Sequence, residues 1–464
     1  MASITAPTYD PVSTATALAD QTILPRQQIL QRQSAAATAT ERGLTDLGSA
    51  LSAFQSSLSA LTSSDKTLFA QSATFSDKDA ASATAGARAA AGSYSFFVAR
   101  VATASQVSLS GLSDDAAVTG VLKIDLGGAN ALSIDMSAAD ADKNGILTTR
   151  ELAAAINGDV KNTGLISASI ITTGGSAELV LSARNTGANS AITLDTSGIN
   201  GGSSLAAANA DPARVRILSA AQDAEIRVGS ESGTPIIQAS NTFTNIDGVK
   251  MTFTKAQAAG AAPLTLMVGP DTSATIANVQ GFVDAYNKLK TVLSRLTASG
   301  DPSKGVTAGA FAQDSSIRAL SERLVNVLRP SAGGDTLASY GILATKDGTL
   351  ELRADRLVRQ LTVKPTGLDT LIGSASAVST SGIAGTLDSY IKTWTNATDG
   401  LIKERKEAGA TQQKGIEERL AYLEDQHEAA YQRYLRQFTD LQNLQSAMTS
   451  NLSMFDALFG NDKD

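Results

Sequence analysis

The feature that most constrains this chain is a long helical pattern near its C-terminal end, from about Gln413 to Phe459. Apolar or small residues recur there in steps of three and four, which places them along one continuous stripe of an α-helix. A helix of this length needs other helices beside it, so the pattern predicts a helical stem. The stripe consists of Ile416, Leu420, Leu423, Ala430, Tyr434, Phe438, Leu441, Leu444, Met448, Leu452, Phe455 and Leu458.

The charge on this helix changes abruptly after Asp440. Acidic and basic side chains are frequent before that residue, whereas between Leu441 and Leu458 the only charged residue is Asp456. A helix end so poor in charge is suited to burial on more than one side, and few groups within one chain could surround it. We therefore predict that six residues, called the terminal stripe below, contact other protein chains in an assembly. They are Leu441, Leu444, Met448, Leu452, Phe455 and Leu458.

A second helical pattern lies near the N-terminus. We expect residues 1–21 to be unstructured and a helix to begin near Pro25, because proline is tolerated in a first turn. This helix carries few charges as far as Thr40. The following leucines and Phe54 then repeat with heptad spacing, which predicts a packed seam. We expect the two chain ends to pair antiparallel, with stem packing by Leu44, Leu47, Leu51, Phe54, Tyr434 and Phe438.

The middle of the chain has a different pattern, with short alternating or β-branched runs from about Ser93 to Thr254. Asp247-Gly248 separates two such runs and is a strong hairpin signal. We expect one helix, Leu152 to Ile156, to interrupt this β-rich block. Helices return near Thr275, with Asp314 as a candidate N-cap.

These patterns predict an α+β multidomain fold, in which an antiparallel helical or coiled-coil stem from both chain ends carries an inserted β-rich head of one or two domains. The predicted parts are a charge-poor leg (1–40 and 435–464), a helical stem with a small β-hairpin (41–76 and 272–434), a β-rich head domain (77–107 and 215–271) and an inserted outer head domain (108–214).

Composition excludes several classes of function. The 464 residues include no cysteine, so disulfide and thiolate chemistry are absent. The net charge of −7, without a Lys/Arg cluster, argues against nucleic acid as a partner. No apolar run reaches the ~18 residues of a membrane span, and we expect no cleaved signal peptide. The single histidine, His427, is predicted to lie in the helical seam, and no nucleotide or hydrolase motif is present, so we predict no enzymatic activity.

One local motif carries possible metal chemistry. The segment from Asp140 to Glu151 fits the calcium-loop pattern D-x-[DN]-x-[DN]-G-x5-E at every specified position. Its predicted oxygen ligands are Asp140, Asp142, Asn144, the Ile146 carbonyl, Thr148 near a water, and Glu151 as a bidentate carboxylate. The residues before the loop read as a strand rather than as an incoming helix, so a polar strand-to-helix connection remains the alternative.

Several stretches together resemble the flagellar hook-associated protein 2 family of filament cap proteins. They are SNTFTNIDGVKMTFT, PLTLMVGPDTSATIANVQGFVDAYNKL, LASYGILATKDGTLEL and the ending IEERLAYLEDQHEAAYQRYLRQFTDLQNLQSAMTSNLSMF. The resemblance covers nearly the full length of the chain. At the Asp140 loop, relatives usually have a shorter connection without calcium, so the resemblance adds nothing to the calcium prediction.

The resemblance implies a mechanical function. A homo-oligomeric ring would cap the distal end of the bacterial flagellar filament, retain exported flagellin and promote its polymerisation. It implies flagellin, hook-filament junction proteins and an export chaperone as partners, no required cofactor, and an extracellular location reached by the flagellar type III route. The alternatives are a flagellin or hook-filament junction protein, and, from another class, a calcium-dependent surface adhesin.

Overall fold

The computed structural model describes residues 10–62, 67–86, 88–127, 131–173, 176–329, 332, 334–373 and 382–459. The chain divides into two compact units, one formed by Met1–Leu68 with Ile276–Asp464 and the other by Phe69–Thr275. The outermost parts of the predicted leg, residues 1–9 and 460–464, lie outside the described residues.

The α-helices of the described residues range from 4 to 59 residues in length. They are α1 (Pro11–Thr62), α2 (Met136–Ala139), α3 (Thr149–Gly158), α4 (Ser204–Ala210), α5 (Thr272–Thr297), α6 (Ser315–Val327), α7 (Ala354–Val363), α8 (Gly367–Ile372), α9 (Gly382–Thr395) and α10 (Leu401–Phe459). Short 3₁₀ turns occur at Ala188–Ser190 and Pro302–Lys304.

The β-strands lie mainly in the unit Phe69–Thr275. They are β1 (Gln71–Phe75), β2 (Ala81–Ala85), β3 (Gly92–Arg100), β4 (Ala104–Leu109), β5 (Asp115–Ala116), β6 (Thr119–Asp125), β7 (Ala131–Asp135), β8 (Ile146–Leu147), β9 (Ile166–Thr173), β10 (Ser176–Thr186), β11 (Thr193–Asp195), β12 (Ile199–Asn200), β13 (Val215–Ser219), β14 (Ala224–Val228), β15 (Pro235–Gln238), β16 (Thr242–Ile246), β17 (Val249–Phe253), β18 (Leu264–Pro270), β19 (Ile342–Ala344) and β20 (Leu350–Leu352).

Antiparallel pairing organises these strands into several sheets. A five-stranded sheet has the order β1-β18-β3-β14-β15, and β16-β17-β2 form a three-stranded sheet. A four-stranded sheet has the order β13-β4-β10-β9, while β6 pairs with β7, β11 and β12. The pairs β5-β8 and β19-β20 are two-stranded. The α+β multidomain class predicted from the sequence is therefore confirmed.

Two hydrophobic cores fill the unit Phe69–Thr275. The first draws its buried residues from 73–102 and 224–268, and its phenylalanines meet edge to face, with ring centroids of Phe75 and Phe253 5.4 Å apart. The second lies within residues 107–205 and is mainly aliphatic. Three helices interrupt the strands here, so the prediction of a single helix at Leu152–Ile156 was incomplete. The missed helices α2 and α4 are only 4 and 7 residues long, too short to show a clear helical period.

The hairpin and cap signals are confirmed. Asp247-Gly248 turns β16 into β17, with Gly248 at φ +72°, in the left-handed region that favours glycine. Asp314 caps α6 by accepting hydrogen bonds from the amides of Ser316 (2.9 Å) and Ile317 (3.1 Å). Burial alone would raise the pKa of Asp314, but hydrogen bonds from Arg405 and these amides outweigh it and hold the pKa below its usual range.

Helix α1 begins earlier than the sequence predicts. It starts at Pro11 and continues through Pro25, where we expected the helix to begin. Asp10 accepts hydrogen bonds from the amides of Val12 (3.3 Å) and Ser13 (3.0 Å), so it is the N-cap. An internal proline costs a helix about 3 kcal/mol. Packing on both sides of Pro25, by residues of the cluster that α1 forms with α10, offsets this cost.

The heptad seam of α1 is buried as predicted, but its partners differ. Leu44, Leu47, Leu51 and Phe54 are at most 2% exposed. The ring centroid of Phe54 lies 6.1 Å from that of Tyr286 on α5, in an edge-to-face arrangement. The predicted packing of this seam against Tyr434 and Phe438 of the closing helix is therefore wrong.

The closing helix α10 instead pairs antiparallel with the first half of α1. Gln413 Nε2 donates to Ser34 Oγ at 3.0 Å, and His427 Nε2 lies 2.8 Å from Asp20 Oδ1. Between these contacts Leu30, Ile416 and Leu423 form a small buried cluster, with Ile23, Ala37 and Leu420 packed against it. The two chain ends thus form the antiparallel helical pair that the sequence predicts, in a different register.

Candidate assembly surface and candidate metal site

The terminal stripe lies on the last turns of α10. At 3.6 residues per turn, its six residues fall within an arc of roughly 120° around the helix. All six are exposed, from 41% for Leu441 to 67% for Leu458. Large apolar side chains that project to solvent along one helical face mark a protein contact surface when they are contiguous.

The position of this surface follows from the register of the helix pair. His427 is beside Asp20, and each turn further along α10 lies opposite one turn earlier in α1. Among the described residues, which begin at Asp10, the pairing therefore extends to about Phe438. The terminal stripe comes after that point.

Tyr434 and Phe438 do not join Leu44–Phe54, as the stem prediction required. Tyr434 lies two turns beyond His427 and is therefore opposite the region of Ala15, far along α1 from the heptad seam. Both aromatic side chains are half-buried, and Ala15 and Ala19 are fully buried. These two aromatic residues belong to the pairing of the chain ends.

Sequence reasoning missed three exposed apolar residues on α1. Val12, Leu24 and Ile29 are 51%, 47% and 54% exposed. Only Ile29 lies in the charge-poor stretch predicted to follow Pro25, Val12 lies in the segment expected to be unstructured, and no heptad spacing relates the three residues. They extend the exposed apolar character of α10 to its partner helix.

The predicted metal ligands are brought together in the second unit. Asp140, Asp142 and Glu151 each place a carboxylate oxygen within 4.8 Å of the others. Asp140 ends α2, and Glu151 lies in the first turn of α3, so the loop connects two helices. The incoming helix was not expected from the sequence, and α2 is only one turn long.

Hydrogen bonds shape this loop. Asp140 Oδ2 accepts from the Gly145 amide at 2.8 Å, and Gly145 has φ +81°. Glu151 accepts from the Ala141 amide at 3.2 Å and from the Thr148 amide and hydroxyl at 3.0 and 2.7 Å. The bonds from Thr148 hold the pKa of Glu151 below its usual range, so this carboxylate is ionised at neutral pH.

Trp394 and His427 have structural roles. Trp394 is buried in α9, with the Arg405 guanidinium carbon 5.7 Å from its ring centroid. His427 contacts Asp20 at the helix pair, so it lies in the seam predicted for it. None of the described helices combines the length and apolar character that crossing a membrane requires.

Comparison with known proteins gives one family. The family model described as flagellar hook-associated protein 2 N-terminus matches residues 8–105, and the model for its C-terminus matches residues 221–450. The chain is similar to the lateral flagellar hook-associated protein 2 of Vibrio parahaemolyticus, with 31% identity over 80% of this chain and 82% of the relative. It is 29% identical to flagellar hook-associated protein 2 of Escherichia coli K12 over 94% and 93% of the two chains.

A solved structure shares the fold. The crystal structure of the D1-D2-D3 domains of the flagellar cap protein FliD from Escherichia coli aligns with a TM-score of 0.59 and 29% identity. The alignment covers 77% of this chain and 99% of that one. The relatives and structure named here include no adhesin and no flagellin.

Proposed function

The chain belongs to the flagellar hook-associated protein 2 family and is a filament cap protein, and we propose that it acts mechanically at the distal end of the bacterial flagellum. There it retains exported flagellin and promotes flagellin polymerisation. The role is structural, and we propose no catalytic activity. The observation that carries the mechanical proposal is the exposed terminal stripe, because such a surface is suited to contact with other protein chains.

The proposed contacts of the terminal stripe are neighbouring copies of this chain and flagellin. Each of its six side chains is at least 41% exposed, and Asp456 is the only charged residue between them. Burial of apolar surface stabilises association by about 25 cal/mol per Å². The segment from Leu441 to Phe455 contains no ionic group that would have to be desolvated. These residues therefore favour a dry contact along the helix.

We propose a homo-oligomeric ring as the assembled form. The terminal segments 1–40 and 435–464 would act as its legs, and residues 41–76 with 272–434 as its stem. Residues 77–107 with 215–271 and the insertion 108–214 would form two head domains. The two separate hydrophobic cores within Phe69–Thr275 support the division of the head.

The remaining partners are proposed from family membership. They are the hook-filament junction proteins at the filament base and a chaperone before export, with neither nucleic acid nor membrane insertion. The location is extracellular, at the filament tip, and we propose the flagellar type III route for export. We also propose that capping requires no cofactor, and that a calcium ion, if bound, takes the Asp140–Glu151 loop.

Deletion of residues 441–464 tests the proposed surface. The deletion removes the terminal stripe but none of the buried residues of the two head cores. We expect the variant chain to be produced and folded, and the strain to release flagellin monomers into the medium instead of building filaments. Normal filaments would refute the assignment of this surface, and thousands of copies per filament would favour a flagellin instead.

A further inference from the structure

We propose that the loop from Asp140 to Glu151 binds one calcium ion, and that the ion ties α2, β8 and α3 together. This inference is independent of the capping function, because the loop lies in the second unit, whereas the terminal stripe lies in the first.

The donor set suits a hard cation. Asp140, Asp142 and Glu151 contribute carboxylates, and Asn144 contributes an amide oxygen. With the Ile146 carbonyl and a water near Thr148, the loop offers about seven oxygens, within the range that calcium takes. Nitrogen and sulfur ligands, which would favour zinc or copper, are absent from this segment of the sequence.

One oxygen of the loop points to a ligand independently of the sequence motif. Oδ1 of Asp140 is excluded from solvent and accepts no hydrogen bond from any residue that the structure describes. The other oxygen of the same carboxylate is satisfied by the Gly145 amide. A solvent-excluded carboxylate oxygen without a partner is costly. A cation held by Asp140, Asp142 and Glu151 would remove that cost.

The backbone of the loop allows this convergence. Lys143 and Gly145 have φ values of +57° and +81°, which turn the chain sharply between the Asp142 and Ile146 ligands. Oε1 of Glu151 accepts one hydrogen bond, from the Ala141 amide, and keeps a free lone pair. Oε2 accepts two, from the amide and the hydroxyl of Thr148, and rotation of that hydroxyl would free a lone pair there as well. Glu151 can therefore cap α3 and bind the ion at the same time.

The bound ion would act beyond the loop. Ile146 and Leu147 form β8, which pairs with Asp115 and Ala116 of β5. Asp115 is buried and accepts hydrogen bonds from the amide and hydroxyl of Ser204, at the start of α4. Fixing β8 thus restrains a chain of contacts from α3 through β5 to α4, around the second hydrophobic core.

The charge balance of the site indicates its affinity. Three carboxylates face the site, Asp142 and Asn144 are exposed, and Lys143 places a positive charge in the loop. Few charged ligands and an exposed loop are typical of extracellular calcium modules, whose Kd is about 10⁻⁴ to 10⁻³ M. The proposed site would therefore remain without calcium in the cytosol and bind it outside the cell.

Titration of the full-length chain tests the proposal. The chain is freed of metal by a chelating resin and then titrated with calcium chloride to about 10 mM, ten times the weakest expected Kd. Calorimetry reports binding, and hydrogen exchange read by mass spectrometry reports protection of residues 140–151. We expect one ion per chain, and at ten times the Kd the ratio of closed to open loop rises about 11-fold. No heat and no added protection would overturn the proposal, as would an equal response to magnesium chloride.

Variants locate the site. Glu151→Gln removes a ligand charge but keeps a side chain that can complete the capping box of α3. Loss of a direct ligand should weaken calcium binding at least as much as loss of an outer partner, by about 10- to 100-fold. Asp142→Asn serves if Glu151→Gln does not fold, because the Asp142 side chain bonds only within the loop, to Asn144. Asp247→Asn, in the exposed β16-β17 turn, is the matched control, and wild-type affinity in both loop variants would overturn the site.

Discussion

Replacing two leucines of the terminal stripe should abolish assembly without unfolding the chain. The double variant Leu444→Gln, Leu452→Gln changes side chains that are 59% and 63% exposed in the single chain. Full burial of a leucine side chain contributes about 1.5–3 kcal/mol. Burial of the exposed fraction in an assembly is therefore worth about 1–2 kcal/mol per residue. The double substitution would therefore weaken association by about 2–4 kcal/mol per protomer, which corresponds to roughly a 30- to 1000-fold loss in affinity.

The free energy of unfolding of the isolated chain should hardly change. Substitutions at exposed positions without special contacts usually stay within about 0.5 kcal/mol. Two controls bracket the double variant. Leu47→Gln, at a fully buried position of α1, should lower the free energy of unfolding by at least about 3 kcal/mol. Tyr422→Gln replaces a side chain that is 63% exposed on α10 but outside the terminal stripe, and it should preserve assembly.

Two measurements decide the outcome. Denaturant unfolding of the purified chains gives stability, and the amount of flagellin monomer in the culture medium of complemented strains gives capping. We expect wild-type stability and released flagellin for Leu444→Gln, Leu452→Gln, and normal filaments for Tyr422→Gln. Normal filaments with the double variant, or loss of stability equal to that of Leu47→Gln, would refute the reasoning.

Three further predictions concern the unit that holds both chain ends. Tyr286 is buried with a hydroxyl that has no hydrogen-bond partner among the described residues, and burial raises its pKa to about 12. Tyr286→Phe should leave the free energy of unfolding unchanged or raise it by up to about 1 kcal/mol at neutral pH. The unfolded tyrosine ionises near pH 10 and the folded one near pH 12, so the free energy of unfolding of the wild type should fall across that interval by at most roughly 2.7 kcal/mol. Tyr286→Phe should lack this part of the pH dependence, which denaturant unfolding at several pH values measures. Gly43→Ala should destabilise the chain, because the new methyl would lie 2.9 Å from a ring carbon of Phe311. Gly48→Ala makes only ordinary contacts and should raise the free energy of unfolding by about 1 kcal/mol. Thermal unfolding of the two variants checks both signs. Asp314→Ala should lower the free energy of unfolding by about 1–2 kcal/mol at pH 7. Because the pKa of Asp314 is lowered in the folded chain, this difference from wild type should vanish as the pH falls below 3.8. Urea unfolding at several pH values measures it.

The fold class and most helices could be predicted because their signals are local. The spacing of Leu44, Leu47, Leu51 and Phe54 identifies a buried face, and all four are buried. Periodicity tells which side of a helix is covered but not which helix covers it. The actual partner of Phe54 lies on α5, and only the three-dimensional structure reveals that choice.

The start of α1 has a helix-start signal in the sequence, but other residues pointed to a later start. Asp10 followed by Pro11 is a cap residue before a favoured first-turn proline, the usual mark of a helix start. The small polar residues that follow have modest helix propensity, and the second proline at position 25 suggested a later beginning. Ala15 and Ala19 are buried by a helix some 400 residues away in sequence, and this packing stabilises the early start of α1. Local sequence patterns cannot predict a contact between such distant segments.

For the two candidate sites, the residues could be predicted from the sequence, whereas their surroundings could not. The sequence specifies every donor of the loop from Asp140 to Glu151, because the ligand spacing is local. It could not show that one oxygen of Asp140 is excluded from solvent, because solvent exclusion depends on how the folded chain packs. For the terminal stripe, the loss of charge after Asp440 identified the segment, whereas the extent of the helix pair that precedes it depends on the register with Asp20.

The pairing of α1 with α10 sets the order in which this chain can fold. Gln413 and Ser34 are 379 residues apart in sequence, and His427 and Asp20 are 407 apart. Contacts of such long range form late, because the entropy of closing the intervening loop has to be overcome first. The strands of Phe69–Thr275 close upon one another without either terminus. A chain whose last 60 or so residues have not yet emerged therefore holds a folded insertion but no completed helix pair, and the terminal stripe becomes available only when the whole polypeptide is present.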